Sequence, residues 1–167
     1  QNFSTISSVI VKDASGQLVT EYSPGSTYII TVDIQSTGNA GHGFQLTGLL
    51  SNNSAAGTCT ATSPNTQITS LNGRWYFEHT VPNSGGSYEM KWVAPAAGSG
   101  DVTLYGSTLS TNGDGSTSGD EFMNIPNVVI TESVANSVAE EINKSVVTIF
   151  PNPTTDYITV DLGSEVI

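Results

Sequence analysis

Hydrophobic and polar residues alternate in short runs along most of this chain, which is the period of a β-strand with one buried face. In residues 28–35 (YIITVDIQ) the pattern sets Ile30, Val32 and Ile34 on one side and a more polar set on the other. Residues 87–94 (SYEMKWVA) alternate in the same way. The other predicted strands are residues 5–12, 44–50, 58–61, 67–71, 74–80, 101–109 and 127–131. Residues 17–21 are interpreted as a hairpin arm that pairs back on the strand in residues 5–12.

Residues that favour tight turns separate these runs. Pro24 and Gly25 form one strong turn signal, and Asn72-Gly73 is typical of a type I′ hairpin turn. About eight or nine short strands, without a convincing amphipathic helix, predict an all-β fold, an antiparallel β-sandwich of the immunoglobulin-like kind. The side chains expected in its core are Ile30, Val32, Phe44, Leu46, Trp75, Phe77, Met90 and Trp92.

The pattern changes after the last of these strands. Residues 132–144 (ESVANSVAEEINK) are polar and acidic and lack strand alternation, so they are interpreted as a linker. Two further strand-like runs follow, in residues 145–150 and 157–162, and they predict a C-terminal β-hairpin segment. The predicted organisation is therefore a sandwich in residues 1–131, an acidic linker in residues 132–144 and a further unit in residues 145–167.

Charge and composition narrow the function classes. The net charge is −11 with only four basic residues, and such a surface repels phosphate backbones, so we expect no nucleic-acid partner. No run approaches the ~20 apolar residues of a membrane span. Cys59 is the sole cysteine, which excludes an internal disulfide and predicts a buried, inert thiol. The chain starts at Gln1 rather than at Met, and we expect that an N-terminal signal peptide has been cleaved.

The tail VTIFPNPTTDYITVDL carries a specific motif. Its elements are Phe150, Pro151, Asn152, Pro153 and Asp156, followed by the alternating Ile158 and Val160. This pattern resembles the opening of the type A C-terminal sorting domain of the type IX secretion system of Bacteroidetes, and it covers only the beginning of such a domain. The resemblance implies the type IX secretion machinery as a partner and a location outside the cell or on the outer-membrane surface.

A second resemblance covers roughly residues 5–131. The segments that carry it are residues 22–28 (YSPGSTY), 43–47 (GFQLT), 56–57 (AG), 78–80 (EHT), 92–95 (WVAP), 100–105 (GDVTLY) and 112–120 (NGDGSTSGD). In this order and spacing they resemble the Reeler-like "choice-of-anchor" domain of Bacteroidetes surface proteins. The resemblance implies a secreted β-sandwich with an adhesive or structural role. It supplies no catalytic residue and no cofactor, so we expect that the protein is not an enzyme.

Oxygen-bearing side chains crowd together in one loop. They occupy alternate positions, namely Asn112, Asp114, Ser116, Ser118 and Asp120. Calcium prefers six to eight hard oxygen ligands from a flexible loop, and this spacing would supply several. The alternative is a turn rich in Gly and Asp whose side chains cap their own backbone. The sequence leaves both interpretations open.

Histidines and tyrosines supply the remaining candidates. We expect His79 to be a hydrogen-bonded side chain in or beside the core, and His42 to be exposed. Tyr76, Tyr88 and Tyr105 would stack on sugars if they lie on the surface, although packing within the sheets is the more frequent use of tyrosine.

Two functions remain in competition. The first is a non-enzymatic cell-surface or extracellular module with a structural or adhesive role, which self-assembles when its C-terminal strands add to a neighbour's sheet edge. The second is a calcium- or carbohydrate-binding module whose partner is a glycan or a surface polysaccharide.

Overall fold

The computed structural model describes residues 3–134 except Asn39, Asn83 and Gly85, and those residues form strands, turns and loops. No helix among them is long and apolar enough to cross a membrane. The strands are β1 (Ile6–Lys12), β2 (Glu21–Tyr22), β3 (Thr27–Gln35), β4 (Gly41–Leu49), β5 (Thr58–Ala61), β6 (Thr66–Leu71), β7 (Arg74–His79), β8 (Ser87–Val93), β9 (Val102–Thr111) and β10 (Glu121–Glu132).

These strands form two sheets. The smaller has the order β1-β3-β8-β5 and the larger the order β2-β10-β9-β4-β7-β6. All pairs are antiparallel except β2 with β10, which run parallel. The predicted all-β sandwich is confirmed, with ten strands instead of eight or nine. The predicted C-terminal hairpin in residues 145–167 lies outside the described residues, as does the linker beyond Val134.

The core lies between the sheets, and all eight side chains expected there are buried. Phe44 of the larger sheet packs against Phe77 beside it at a centroid distance of 4.9 Å, and against Tyr88 of the smaller sheet at 4.4 Å. Rings from both sheets therefore interlock, because alternate residues of each strand point inward and meet the inward residues opposite.

Two tryptophans, one from each sheet, share a single backbone acceptor. The indole N–H groups of Trp92 and Trp75 donate to the carbonyl of Ala56 at 2.8 and 3.2 Å. Gly57 follows with a φ of +67°, and a Cβ there would lie 2.1 Å from the Val93 carbonyl oxygen. Only glycine accepts both that backbone conformation and that approach, so the loop before β5 is held tightly against the core.

Two strands begin earlier than the sequence predicts. β4 starts at Gly41, three residues before the predicted start at residue 44, and β10 starts at Glu121, six residues before the predicted start at residue 127. The early start of β10 is not predicted because Pro126 lies within this strand, and proline is rare inside strands. It lies where the register between β10 and β9 shifts, between Ile125 and Val128, so the missing N–H costs no regular ladder bond.

The predicted hairpin arm in residues 17–21 pairs back on β1 but is too short to form a strand there. An antiparallel bridge joins Leu18 to Lys12, and the Val19 N–H donates to the Val11 carbonyl at 3.0 Å. The chain then crosses to the larger sheet, where β2 pairs with the end of β10. Tyr22 of β2 is completely buried and meets the Trp92 ring edge-on at 5.7 Å, and this contact places β2 over the core.

Candidate functional site

The loop of residues 112–120 joins β9 to β10, and its side chains bond to one another. Asp114 Oδ1 accepts hydrogen bonds from the backbone N–H of Ser116 at 2.8 Å and from its hydroxyl at 2.9 Å. The Asn112 amide donates to Asp114 Oδ2 at 3.0 Å. These bonds, led by the one from the Ser116 backbone, lower the pKa of the Asp114 carboxyl.

The remaining predicted calcium ligands join the same local network. Asp120 Oδ1 accepts the backbone N–H of Asn112 at 3.1 Å, and Ser116 Oγ accepts the backbone N–H of Ser118 at 3.3 Å. The fold therefore brings all five predicted residues together, in the self-capping arrangement that the sequence leaves open as the alternative to calcium. Among the described residues, no three His, Cys, Asp or Glu side chains converge as metal ligands would. Calcium binding stays a prediction.

The sorting motif lies outside the described residues. It comprises Phe150, Pro151, Asn152, Pro153 and Asp156.

The two histidines are both structural, but only one is where we expect it. His79 is half-buried at the end of β7, and its Nδ1 lies 3.0 Å from both the backbone nitrogen and the carbonyl oxygen of Phe44. The prediction that His42 is exposed is wrong: it is 4% exposed, with Nε2 2.8 Å from Ser36 Oγ. His42 lies on β4 with the inward parity of Phe44, and the unrecognised start of that strand explains the error.

The candidate sugar-stacking tyrosines separate into two groups. Tyr88 is 1% exposed and belongs to the core, so it cannot stack on an external ligand. Tyr105 is 42% exposed and Tyr76 is half-buried, and both lie on the outer face of the larger sheet. A third ring, Phe122, is 63% exposed on β10. Phe122 is missing from the predicted set because its strand is not recognised before residue 127.

These three rings border a shallow groove of about 240 Å³ on the outer face. Its lining also contains Gln45, Leu46, Thr47, Gly106, Ser107 and Asn124. Register explains why they meet: Thr47 pairs with Tyr105, Gln45 pairs with Ser107, and Ser107 pairs with Asn124. Side chains at paired positions point to the same face, so residues distant in sequence form one surface.

A polar row crosses five strands beside the rings. Its members pair in the order Gln67, Glu78, Gln45, Ser107 and Asn124. The amides of Gln45 and Gln67 each donate to the Glu78 carboxylate at 2.9 Å. The bond from Gln45 is the largest cause of a lowered pKa at Glu78. We call this set the polar row.

Two further carboxylates connect parts of the sandwich that are distant in sequence. Glu132, at the end of β10, accepts the backbone N–H groups of Gly98 and Gly100 at 2.6 Å each. These bonds, that from Gly100 first, lower the pKa of the Glu132 carboxyl. Glu121, at the start of β10, accepts hydrogen bonds from the Thr5 hydroxyl and backbone, and its pKa is lowered chiefly by that hydroxyl. Neither residue is apparent from the sequence, because their partners lie far away along the chain.

Burial also governs the two groups whose pKa rises most. Desolvation, followed by the charge of Glu132, raises the pKa of the Tyr22 phenol to about 12. Burial raises the pKa of the half-buried Cys59 thiol to about 12. A thiol in this state carries almost no thiolate at neutral pH and is a poor nucleophile.

Comparison with solved structures identifies the fold. A human F-spondin Reeler domain (fragment 1) is 22% identical, with a TM-score of 0.58, and the match covers 76% of this chain and 89% of that one. The Reelin-N domain of F-spondin is 20% identical, with a TM-score of 0.57 and coverage of 75% and 86%. No family model and no curated protein matches the sequence. The described sandwich therefore has the Reeler-like fold.

Proposed function

We propose that this chain is a secreted, non-enzymatic module with an adhesive or structural role outside the cell or on the outer-membrane surface. The observation that carries the proposal is the Reeler-like fold, because the solved structures it resembles are Reeler domains of F-spondin. The best-bonded carboxylates serve the scaffold. Glu132, Glu121 and Asp114 each hold a loop or strand end through hydrogen bonds to the protein itself. Carboxylates committed in this way stabilise the folded sandwich.

Export by type IX secretion is the second part of the proposal. It is supported by the resemblance of Phe150, Pro151, Asn152 and Pro153, with Asp156, to the opening of a sorting domain. The Reeler-like fold, shared with the Reeler domains of F-spondin, is compatible with a destination outside the cell.

The test is to locate the protein in the bacterium that produces it, with an antibody raised against the sandwich. We expect it on the surface or in the medium of cells with a working type IX pore, and in the periplasm of cells without one. Pro151→Ala with Asn152→Ala should retain the protein in the periplasm, whereas the neighbouring Thr154→Ala should not. The same location in both strains would refute export by this route.

Self-assembly is a second candidate, and one edge of the larger sheet favours it. β6 forms that edge and contains neither a charged residue nor proline, the devices that usually prevent strands from adding to an edge. We expect residues 1–167 to form oligomers in light scattering after size exclusion, and residues 1–134 to remain monomeric. Monomers in both cases would eliminate strand addition by the tail.

A further inference from the structure

The groove on the outer face of the larger sheet combines exposed aromatic rings with hydrogen-bonding side chains. Tyr105 and Phe122 expose 42% and 63% of their surface there. The opposite face of the same strands contributes to the core, so the packing of the sandwich does not require rings on the outside. Large apolar groups left in water on one side of a sheet commonly mark a binding surface.

The spacing of the rings leaves room for one ring-shaped ligand between them. Tyr105 lies on β9 and Tyr76 on β7, with β4 between them, so two strand intervals place the tyrosines about 10 Å apart. The residue between them is Thr47, whose hydroxyl is turned down to the Trp75 carbonyl at 2.7 Å. A small side chain between two large ones forms the floor of the groove.

The polar row supplies the other half of the chemistry. Ser107 and Asn124 line the groove, and within the described part of the chain their side chains form no hydrogen bond. Together they offer amide donors, an amide carbonyl and a hydroxyl. The Gln45 amide is already oriented by its bond to Glu78, which fixes the position of its carbonyl oxygen as an acceptor.

We propose that this groove binds a neutral sugar chain. The C–H face of a pyranose ring packs on an aromatic ring while the hydroxyls around it need donors and acceptors, and the groove presents both along one line. Its volume of about 240 Å³ is below the ~300–1,000 Å³ of sites that enclose a small molecule. The groove therefore holds one sugar ring, and the rest of the sugar chain lies across the exposed outer face of the larger sheet.

Charge selects the class of sugar. The groove lining carries no ionised side chain. Arg74 and Glu78 flank Tyr76 on the outer face of β7, the Arg74 side chain donates to the Asn53 carbonyl at 2.9 Å, and the protein has a net charge of −11. Sulfated, sialylated or uronic-acid glycans would be repelled, since like charges raise the free energy of the complex. The inference supplies a ligand for the proposed adhesive role and rests on it.

The experiment measures binding of residues 1–167 to an array of neutral oligosaccharides built from glucose, xylose, mannose, galactose and N-acetylglucosamine, with sialylated and sulfated glycans and basic peptides as separate arms. Titration calorimetry on the strongest neutral probe then compares variants. We expect Tyr105→Thr and Asn124→Ala to weaken binding at least tenfold. Threonine removes the ring and keeps a residue that favours strands.

Leu18→Ala is the matched control, because Leu18 is an exposed apolar residue outside both the groove and the β6 edge, and the affinity of this variant should equal that of the parent protein. Far-UV circular dichroism melts establish that each variant is folded. The proposal is overturned by no neutral binding in the parent, by equal binding in all variants, or by binding restricted to acidic glycans or basic peptides. Because the protein is purified, such a failure leaves the export experiment unaffected, so the two proposals fail separately.

Discussion

The carbonyl shared by two tryptophans makes a quantitative prediction about cooperativity in the core. Trp75 comes from β7 of the larger sheet and Trp92 from β8 of the smaller, and both indoles donate to the Ala56 carbonyl. The perturbation is a double-mutant cycle of Trp75→Phe and Trp92→Phe. Phenylalanine keeps most of the ring and removes the N–H group.

The magnitudes follow from burial. The loss of part of a buried ring costs about 1–2 kcal/mol in transfer and cavity terms. The loss of one hydrogen bond adds about 1 kcal/mol. Each single variant should therefore lose ~2–3 kcal/mol of unfolding free energy. The loss is no larger because the other indole still donates to the carbonyl of Ala56, a residue that is completely buried. The double variant leaves that carbonyl without either donor, which costs a further ~1–3 kcal/mol beyond the sum.

The assay is urea unfolding of residues 1–167 at about 10–20 °C, the usual range of maximum stability. It is followed by far-UV circular dichroism, since the substitutions remove the fluorescent groups. A coupling free energy of at least ~1 kcal/mol confirms the shared acceptor. Additivity within ~0.5 kcal/mol, the usual result for independent sites, would refute it.

Three more predictions concern loops that the structure ties down. Glu132→Gln should lower the melting temperature at pH 7. Folding lowers the pKa of this carboxyl below its ordinary 4.5, so the stability that the carboxylate provides is present above pH 4.5 and is lost as the pH falls through the folded pKa. The melting temperatures of parent and variant should therefore converge in acid. Gly57→Ala should lower the free energy of unfolding by more than ~1–2 kcal/mol, the cost of placing an L-residue in the left-handed conformation, since the new Cβ also meets the Val93 carbonyl oxygen at 2.1 Å. The control is Gly16→Ala, at a φ of +84° with open space around it, which measures the conformational cost alone. If the 112–120 loop binds calcium, a calcium titration should raise the melting temperature of the parent and not of Asp114→Ala.

Each of these has an outcome that contradicts it. A constant difference between Glu132→Gln and its parent from pH 7 to pH 3 would mean that the carboxylate charge is not what holds the loop. Equal losses for the two glycine variants would mean that the approach to Val93 is not tight. Identical melting with calcium and with a chelator would eliminate a stabilising ion in the loop.

Local patterns predicted most of the sandwich. The alternation in residues 28–35 and 87–94 placed Ile30, Val32, Met90 and Trp92 in the core, and all four are buried. This works because a strand's period of two is visible in adjacent residues, whatever the strand pairs with. The same method missed the first half of β10, because Pro126 signals a strand end unless a bulge accommodates it.

The candidate sites were harder to predict, for a different reason. The sequence predicted that the oxygen-bearing side chains of the 112–120 loop lie together, because they are neighbours in the chain. Alternation also separates Tyr88, which shares the buried face of Met90 and Trp92, from Tyr105, which lies on the exposed face of its strand. Alternation within one strand does not show which outward residues of different strands lie side by side, because that depends on the register with neighbouring strands.

By itself, the sequence determined the all-β class, the main turns and eight side chains of the core, because each follows from side-chain period and backbone preference within a few residues. Only the tertiary structure decided that strands β6, β7, β4, β9 and β10 align Tyr76, Tyr105 and Phe122 with the polar row, and that Glu132 holds Gly98 and Gly100. These arrangements depend on register between strands far apart in the chain. Register is set by the packing of the complete sandwich, through many weak contacts that no single segment specifies.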